Sequence, residues 1–266
     1  SEAPSLAPQA APAPRAPAQR KKSGYDFVFL GREHSVQLIA TDLPRTFPQL
    51  GFFHDGGPTC AALENILQAY AYYRPDVGYV QGMSYLAAML LLYMSAADAF
   101  VCLANVLSSK LYIDFYSLEE SRIRKHIRVF DIFFRENLPL LYAHFQREDV
   151  SSDQFYIDWV LTLFSRALPL DVAARIWDSY LLFGEVFAIK AGLGILRVFA
   201  PVLCTMEFEE ILRLLQRLPS DKPNFATLLF DAVRDIRVSP QRLTAMVSDD
   251  ADGEHIRANI NGCAHM

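Results

Sequence analysis

Ile123, Ile127, Phe130, Phe134, Leu138, Leu141 and Phe145 follow one another in steps of four and three residues, and the pattern continues across Pro139. Residues so spaced share one face of an α-helix, and a proline inside the run divides it, so the segment reads as a pair of amphipathic helices facing a core. Arg122, Arg124, Lys125, Arg128 and Arg135 fill much of the remaining surface. That basic face is most simply solvated, with contact to an acidic partner as the alternative. Helical spacing recurs at Leu63, Ile66, Leu67 and Tyr70, opened by Pro58 and stopped at Arg74-Pro75. It recurs again at Phe155, Trp159, Leu163 and Phe164, ahead of a helix expected to begin near Pro169, a residue suited to a first helical turn. Trp177 is expected in the core, and Arg175 and Asp178, three residues apart, form an expected structural ion pair. No strand alternation is sustained over several segments, and no glycine-rich phosphate loop occurs. The expected class is all-α, and the chain is not expected to bind nucleotide tightly itself.

A chain of 266 residues with 52% hydrophobic content can bury a sizeable core. One folded region with two helical lobes is expected over 25–247. Residues 1–24 form an Ala/Pro-rich segment too poor in apolar side chains to order itself, and 248–266 read as a flexible polar end. The opening lacks the long apolar run of a signal peptide, so secretion is not indicated. Val77 to Ala97 carries no charge and is about long enough to span a bilayer. Gln81, two glycines and two serines within it favour a central helix buried on all sides, with no membrane span.

A net charge of −5 and a pI near 5.7 argue against a nucleic-acid partner. Cys60, Cys102, Cys204 and Cys263 show no metal-ligand spacing, and no histidine stands at a recognisable catalytic spacing from a Cys, Asp or Glu. No metal site is expected. Reduced thiols are expected, with Cys60, Cys102 and Cys204 buried in apolar stretches.

Two short stretches place one polar side chain each in apolar surroundings: Ile39-Ala-Thr-Asp42-Leu-Pro44-Arg45, followed by Thr46-Phe47-Pro48, and Tyr79-Val80-Gln81-Gly82-Met83. Arg45 brings an always-charged guanidinium that can fork onto phosphate oxygens, and Gln81 an amide that can donate to and accept from one water. Together they suit phosphoryl transfer to water. On a helical turn Asp42 shares a face with Arg45 and could hold the guanidinium in aim. Pro44 and Pro48 stiffen the backbone around it, while Gly78 and Gly82 would let the second stretch approach a partner closely. Tyr79 reads as a packing residue with a hydrogen-bonded hydroxyl.

At these residues the chain resembles the TBC domain family, the Rab GTPase-activating proteins, whose signatures are Ile-x-x-Asp-x-x-Arg and Tyr-x-Gln. Ser165-Arg-Ala-Leu168-Pro169-Leu170, Ala174-Arg175-Ile176-Trp177-Asp178 and the stretch from Gly184 to Arg197 are similar to the family's downstream helices, so the likeness runs from about Ser35 to about Leu218. The resemblance implies a two-lobed helical fold and a partner, a Rab-family small GTPase in its GTP form. It implies Arg45 as an arginine finger and Gln81 as a glutamine finger, with Asp42, Tyr79 and Gly82 in support. GTP and magnesium would belong to the partner, and this chain would need no cofactor of its own. It further implies a role in vesicle trafficking, with a cytoplasmic protein recruited to endomembranes through partners. An inactive module that only docks on a small GTPase or a tether is the alternative. The family's Arg-x-x-x-Trp signature ahead of the first motif is absent, and with only 25–35 between tail and motif the first lobe is expected to lack some of its usual packing.

Overall fold

A computed structural model describes residues 33–219 and 224–248, and among the described residues all regular structure is helical. After a 3-10 turn, Glu33–Leu38, α1 (Ile39–Asp42) runs directly into a second 3-10 turn, Leu43–Arg45, and a third, Pro48–Leu50, follows. Helices α2 (Cys60–Tyr73), α3 (Met83–Leu91) and α4 (Ala96–Leu107) pack on one another, with the opening turn and α1 laid against α2. Helix α5 (Lys110–Tyr116) joins this group to the rest, touching α4 on one side and α6 (Glu120–Asn137) and α8 (Asp153–Leu161) on the other. Helix α7 (Pro139–Arg147) folds back on α6. The second group is completed by α9 (Leu170–Phe183), α10 (Glu185–Leu203), α11 (Phe208–Gln216), α12 (Phe225–Asp235) and α13 (Pro240–Ser248). Its centre is α10, which packs on α6, α8, α9 and α12. The buried side chains of both groups form one continuous core.

The α6–α7 pair follows the sequence periodicity. Ile127, Phe130, Phe134, Leu141 and Phe145 are buried. Leu138 leaves the helical region, at φ −136° and ψ 58°, because the ring of the next residue, Pro139, disfavours helical backbone before it. Phe130 stacks on Tyr156 of α8 with ring centroids 3.8 Å apart. Gly192 makes room for that pair, since a Cβ there would stand 3.1 Å from both rings. Arg122 and Arg124 pair with Glu119 and Glu120, so part of the basic face is neutralised locally.

Several expectations are corrected. Val77–Ala97 is not one helix: Gly78 (φ 67°) and Gly82 (φ 105°) turn left-handed, and helix occupies only α3 and the start of α4. Among the described residues the single helix with the length and apolarity of a membrane span is α10, and its apolar faces are largely spent on its neighbours in the core. Leu163 and Phe164 lie beyond α8 at φ 43° and 61°, where a tight turn buries both rather than continuing the helix. Helix α9 begins beside Pro169 as expected, with Pro169 as its cap at ψ 145° and Leu170 as its first residue. Trp177 is buried and donates from its indole nitrogen to Ser165 Oγ at 2.9 Å. Among the described residues Arg175 makes no ion pair with Asp178; its guanidinium lies over the Phe230 ring, 4.0 Å from the centroid. Cys60 and Cys102 are half-buried and Cys204 is exposed at the end of α10, all three as free thiols, while Cys263 falls outside the described residues. So do residues 1–24 and 249–266 of the expected tails; Ser248 closes α13.

Candidate functional site

Along the first motif the helical period decides which side chains enter the core. Ile39, Asp42, Leu43, Thr46 and Phe47 are buried, whereas Ala40, Thr41, Pro44 and Arg45 face outward. Pro44 sits at the start of the Leu43–Arg45 turn, where its missing N–H costs nothing. The turn thus carries a carboxylate inward and a guanidinium outward, three residues apart.

A bare carboxylate at the depth of Asp42 would be costly, and two groups satisfy it. Arg45 donates to Oδ1, from Nε at 2.7 Å and from a terminal guanidinium nitrogen. Tyr79 donates its phenolic proton to Oδ2. Burial first, and then the Asp42 carboxylate, push the Tyr79 phenol well above its ordinary range, so it remains a donor. Tyr79 therefore does more than pack: its hydroxyl ties the second motif to the first, and its own amide donates to Ser35 Oγ at 2.7 Å.

Two residues on, Gln81 is exposed in the loop between Gly78 and Gly82, and among the described residues its amide has no hydrogen-bond partner. The loop closes on itself through the Met83 N–H to the Val80 carbonyl at 3.1 Å. Gly82 lines the same cleft as Gln81 at its edge toward α8, where a Cβ would lie 3.4 Å from Leu161 Cβ. Arg45 and Gln81 line one cleft of about 600 Å³. Its far wall is α8 and the turn beyond it, with Asp153, Gln154, Ile157 and Asp158, and Arg166 is held by Asp158 at 2.7 Å.

Three contributors lay outside the sequence reading. Thr46 donates to the Asp42 carbonyl oxygen at 2.8 Å, and its Oγ1 lies 2.8 Å from Ser84 Oγ. Tyr85 donates its hydroxyl to the Arg45 carbonyl oxygen at 2.7 Å, and burial pushes its phenol above the ordinary value. The α8 wall is the third. The polar residues Thr46 and Ser84 inside apolar runs were the visible signal, since buried hydroxyls need partners.

A second polar cluster lies elsewhere, where sequence spacing showed nothing. His126 of α6 places Nε2 3.0 Å from Asp114 Oδ2 and Nδ1 2.7 Å from Glu185 Oε1. Lys110 and Arg122 also approach Asp114, at 3.3 and 3.6 Å. A neutral imidazole has one N–H, so carboxylates at both nitrogens are served by the imidazolium form. Burial pushes His126 down, but Glu185 and then Asp114 outweigh it and hold it above its ordinary value. Among the described residues no group of three or more His, Cys, Asp or Glu could hold a metal ion.

The Rab-GTPase-TBC domain profile matches residues 17–204, a span containing both motifs and the whole cleft. The chain belongs to that family. It is 42% identical to TBC1 domain family member 14 of Homo sapiens over 229 residues, 84% of this chain and 33% of the relative. It is 46% identical to TBC1 domain family member 12 of Mus musculus over 190 residues, 71% of this chain and 27% of the relative. Drainin of Dictyostelium discoideum is 37% identical over 233 residues, 88% of this chain and 53% of that protein. The chain thus spans about a third of the length of member 14 and about half of drainin. Its fold is similar to the Ypt/Rab-GAP domain of Gyp1p, with TM-score 0.66 at 23% identity over 77% of this chain and 73% of that one. It is similar as well to a Chlamydomonas flagellar RabGAP TBC domain, with TM-score 0.67 at 27% identity over 76% and 67%.

Proposed function

We propose that this chain is a GTPase-activating domain that docks on a GTP-loaded Rab protein and lends it Arg45 and Gln81, so that water cleaves the terminal phosphate faster. The observation that carries the reading is the shared cleft. It presents a guanidinium tethered at its tip by the buried Asp42 and at its root by the half-buried Tyr85, beside an amide with no partner within the described chain.

Each group has a defined task. Arg45 would move its donors from Asp42 toward the phosphoryl oxygens and counter the charge that develops on them. Gln81 would accept from the attacking water and donate toward the phosphate, fixing the line of attack. GTP and magnesium are supplied with the Rab, so the chain binds neither by itself. An arginine lent by a partner is worth roughly 10³- to 10⁵-fold in rate. Action on a Rab places the protein in the cytoplasm, at endomembranes bearing that partner, and in the control of vesicle trafficking.

Phosphate release from a panel of GTP-loaded Rab proteins tests the reading. The expected result is acceleration of at least one Rab, removed by Arg45→Ala and by Gln81→Ala. Nucleotide-dependent binding by a folded protein without faster release from any Rab would replace it with a docking module.

A further inference from the structure

Tyr85 stands on the first turn of α3, just beyond the Gln81 loop, and reaches back across the cleft floor to the arginine turn. Its hydroxyl donates to the main-chain oxygen of Arg45 at 2.7 Å. Its ring meets Phe47 edge-on, with centroids 5.2 Å apart and planes at 69°. Phe47 is held at φ 44°, a left-handed conformation that a side chain as bulky as phenylalanine rarely adopts. Beside it, Ser84 on the same turn of α3 meets Thr46 at 2.8 Å. Residues 45, 46 and 47 are therefore each touched by residue 84 or 85.

We infer that Tyr85 is a positioning residue for Arg45, fixing the main chain from which the guanidinium is launched and setting its placement relative to Gln81. The inference rests on the GTPase-activating reading above. Arg45 is held at two ends: Asp42 holds the tip and Tyr85 the root. The tip must leave or share Asp42 when the guanidinium turns to phosphate, whereas the root contact survives that turn. A long, flexible side chain acting from a fixed Cα loses less freedom in reaching the reacting geometry. Because α3 begins directly after Gly82, the helix that holds the root of Arg45 also carries the end of the Gln81 loop. One short helix thereby sets the spacing of the two groups.

Tyr85→Phe keeps the ring against Phe47 and removes only the hydroxyl, leaving the Arg45 carbonyl open to water from the cleft. Folding should be intact by thermal melt. The expected kinetic result is a kcat lowered roughly 3- to 10-fold, the range for loss of one hydrogen bond, with KM within about twofold of the unsubstituted chain. In an Arg45→Ala background the same change should have no further effect. Hydrogen exchange of the Thr46 amide, which bonds the Leu43 carbonyl at 3.1 Å, should quicken by a similar factor, whether or not any Rab is accelerated. An unchanged kcat, a loss wholly in KM, a full loss persisting without Arg45, or unchanged exchange at Thr46 would each overturn the inference. If the unsubstituted chain accelerates no Rab while Thr46 exchange does quicken, the GTPase-activating reading has failed and the positional role of Tyr85 stands.

Discussion

Asp42 and Asp114 are both buried carboxylates that hold a cation, and they treat it in opposite ways. Asp42 leaves Arg45 with 53% of its side chain exposed, in a cleft beside an amide that has no partner among the described residues. Asp114, joined by Glu185, encloses His126 until 2% of its side chain is exposed. In each case the carboxylate is satisfied by a hydrogen-bonded cation, as burial demands. Of the cations at these two carboxylates, only Arg45 opens on the cleft that also carries Gln81; the exposed cations at Asp114, Lys110 and Arg122, lie outside it. An exposed cation set in a cleft beside Gln81, rather than the existence of an ion pair, separates the candidate site from the scaffold.

The most drastic way to break this contrast is to remove each cation in turn. Arg45→Ala is expected to abolish roughly 10³- to 10⁵-fold of GTPase stimulation in single-turnover phosphate release. Removal of His126 as His126→Ala should leave Glu185 without this partner and Asp114 held by Lys110 and Arg122 alone, and cost about 1–3 kcal/mol, read from denaturant midpoints. Tyr79→Phe should fall between the regions, because it strips one donor from Asp42 and disconnects the motifs. About 1–3 kcal/mol of stability should be lost together with a partial fall in kcat.

The smallest effect is one of pH. His126 titrates above its ordinary value in the folded chain, so its contribution to stability is complete below about pH 6.5 and is lost as pH rises through the raised value. Melting temperature should therefore fall as pH is raised from 6.5 toward the alkaline side, and His126→Gln should flatten that slope. Were the slope unchanged in the variant, the enclosed imidazolium would have to be given up.

The same contrast shows what could be read from the chain alone. Helical repeats at 123–145 and the turn of Asp42 and Arg45 depend on neighbours three and four residues apart, so spacing reveals them. The Tyr79–Asp42 bond, the Tyr85 hold on Arg45 and the Asp114–His126–Glu185 cluster join residues 12 to 59 positions apart. Such contacts exist only once helices pack. One local backbone decision and one side-chain choice were equally hidden. Val77 to Ala97 reads as one apolar helix, and only the left-handed turns at Gly78 and Gly82 set Gln81 outside it. Arg175 had a carboxylate at helical spacing and took the face of Phe230 instead, because α9 and α12 both pack on α10 and put a ring within its reach.

One paired measurement bears most directly on the contrast: GTPase stimulation and melting temperature determined side by side for Arg45→Ala and His126→Ala. The expected result is that Arg45→Ala loses stimulation even at temperatures where it remains folded, its melting lowered as well by the Asp42 carboxylate left without its cation, whereas His126→Ala melts lower but stimulates normally at temperatures where it remains folded. Full stimulation by Arg45→Ala, or equal loss of stimulation by both variants while folded, would contradict it.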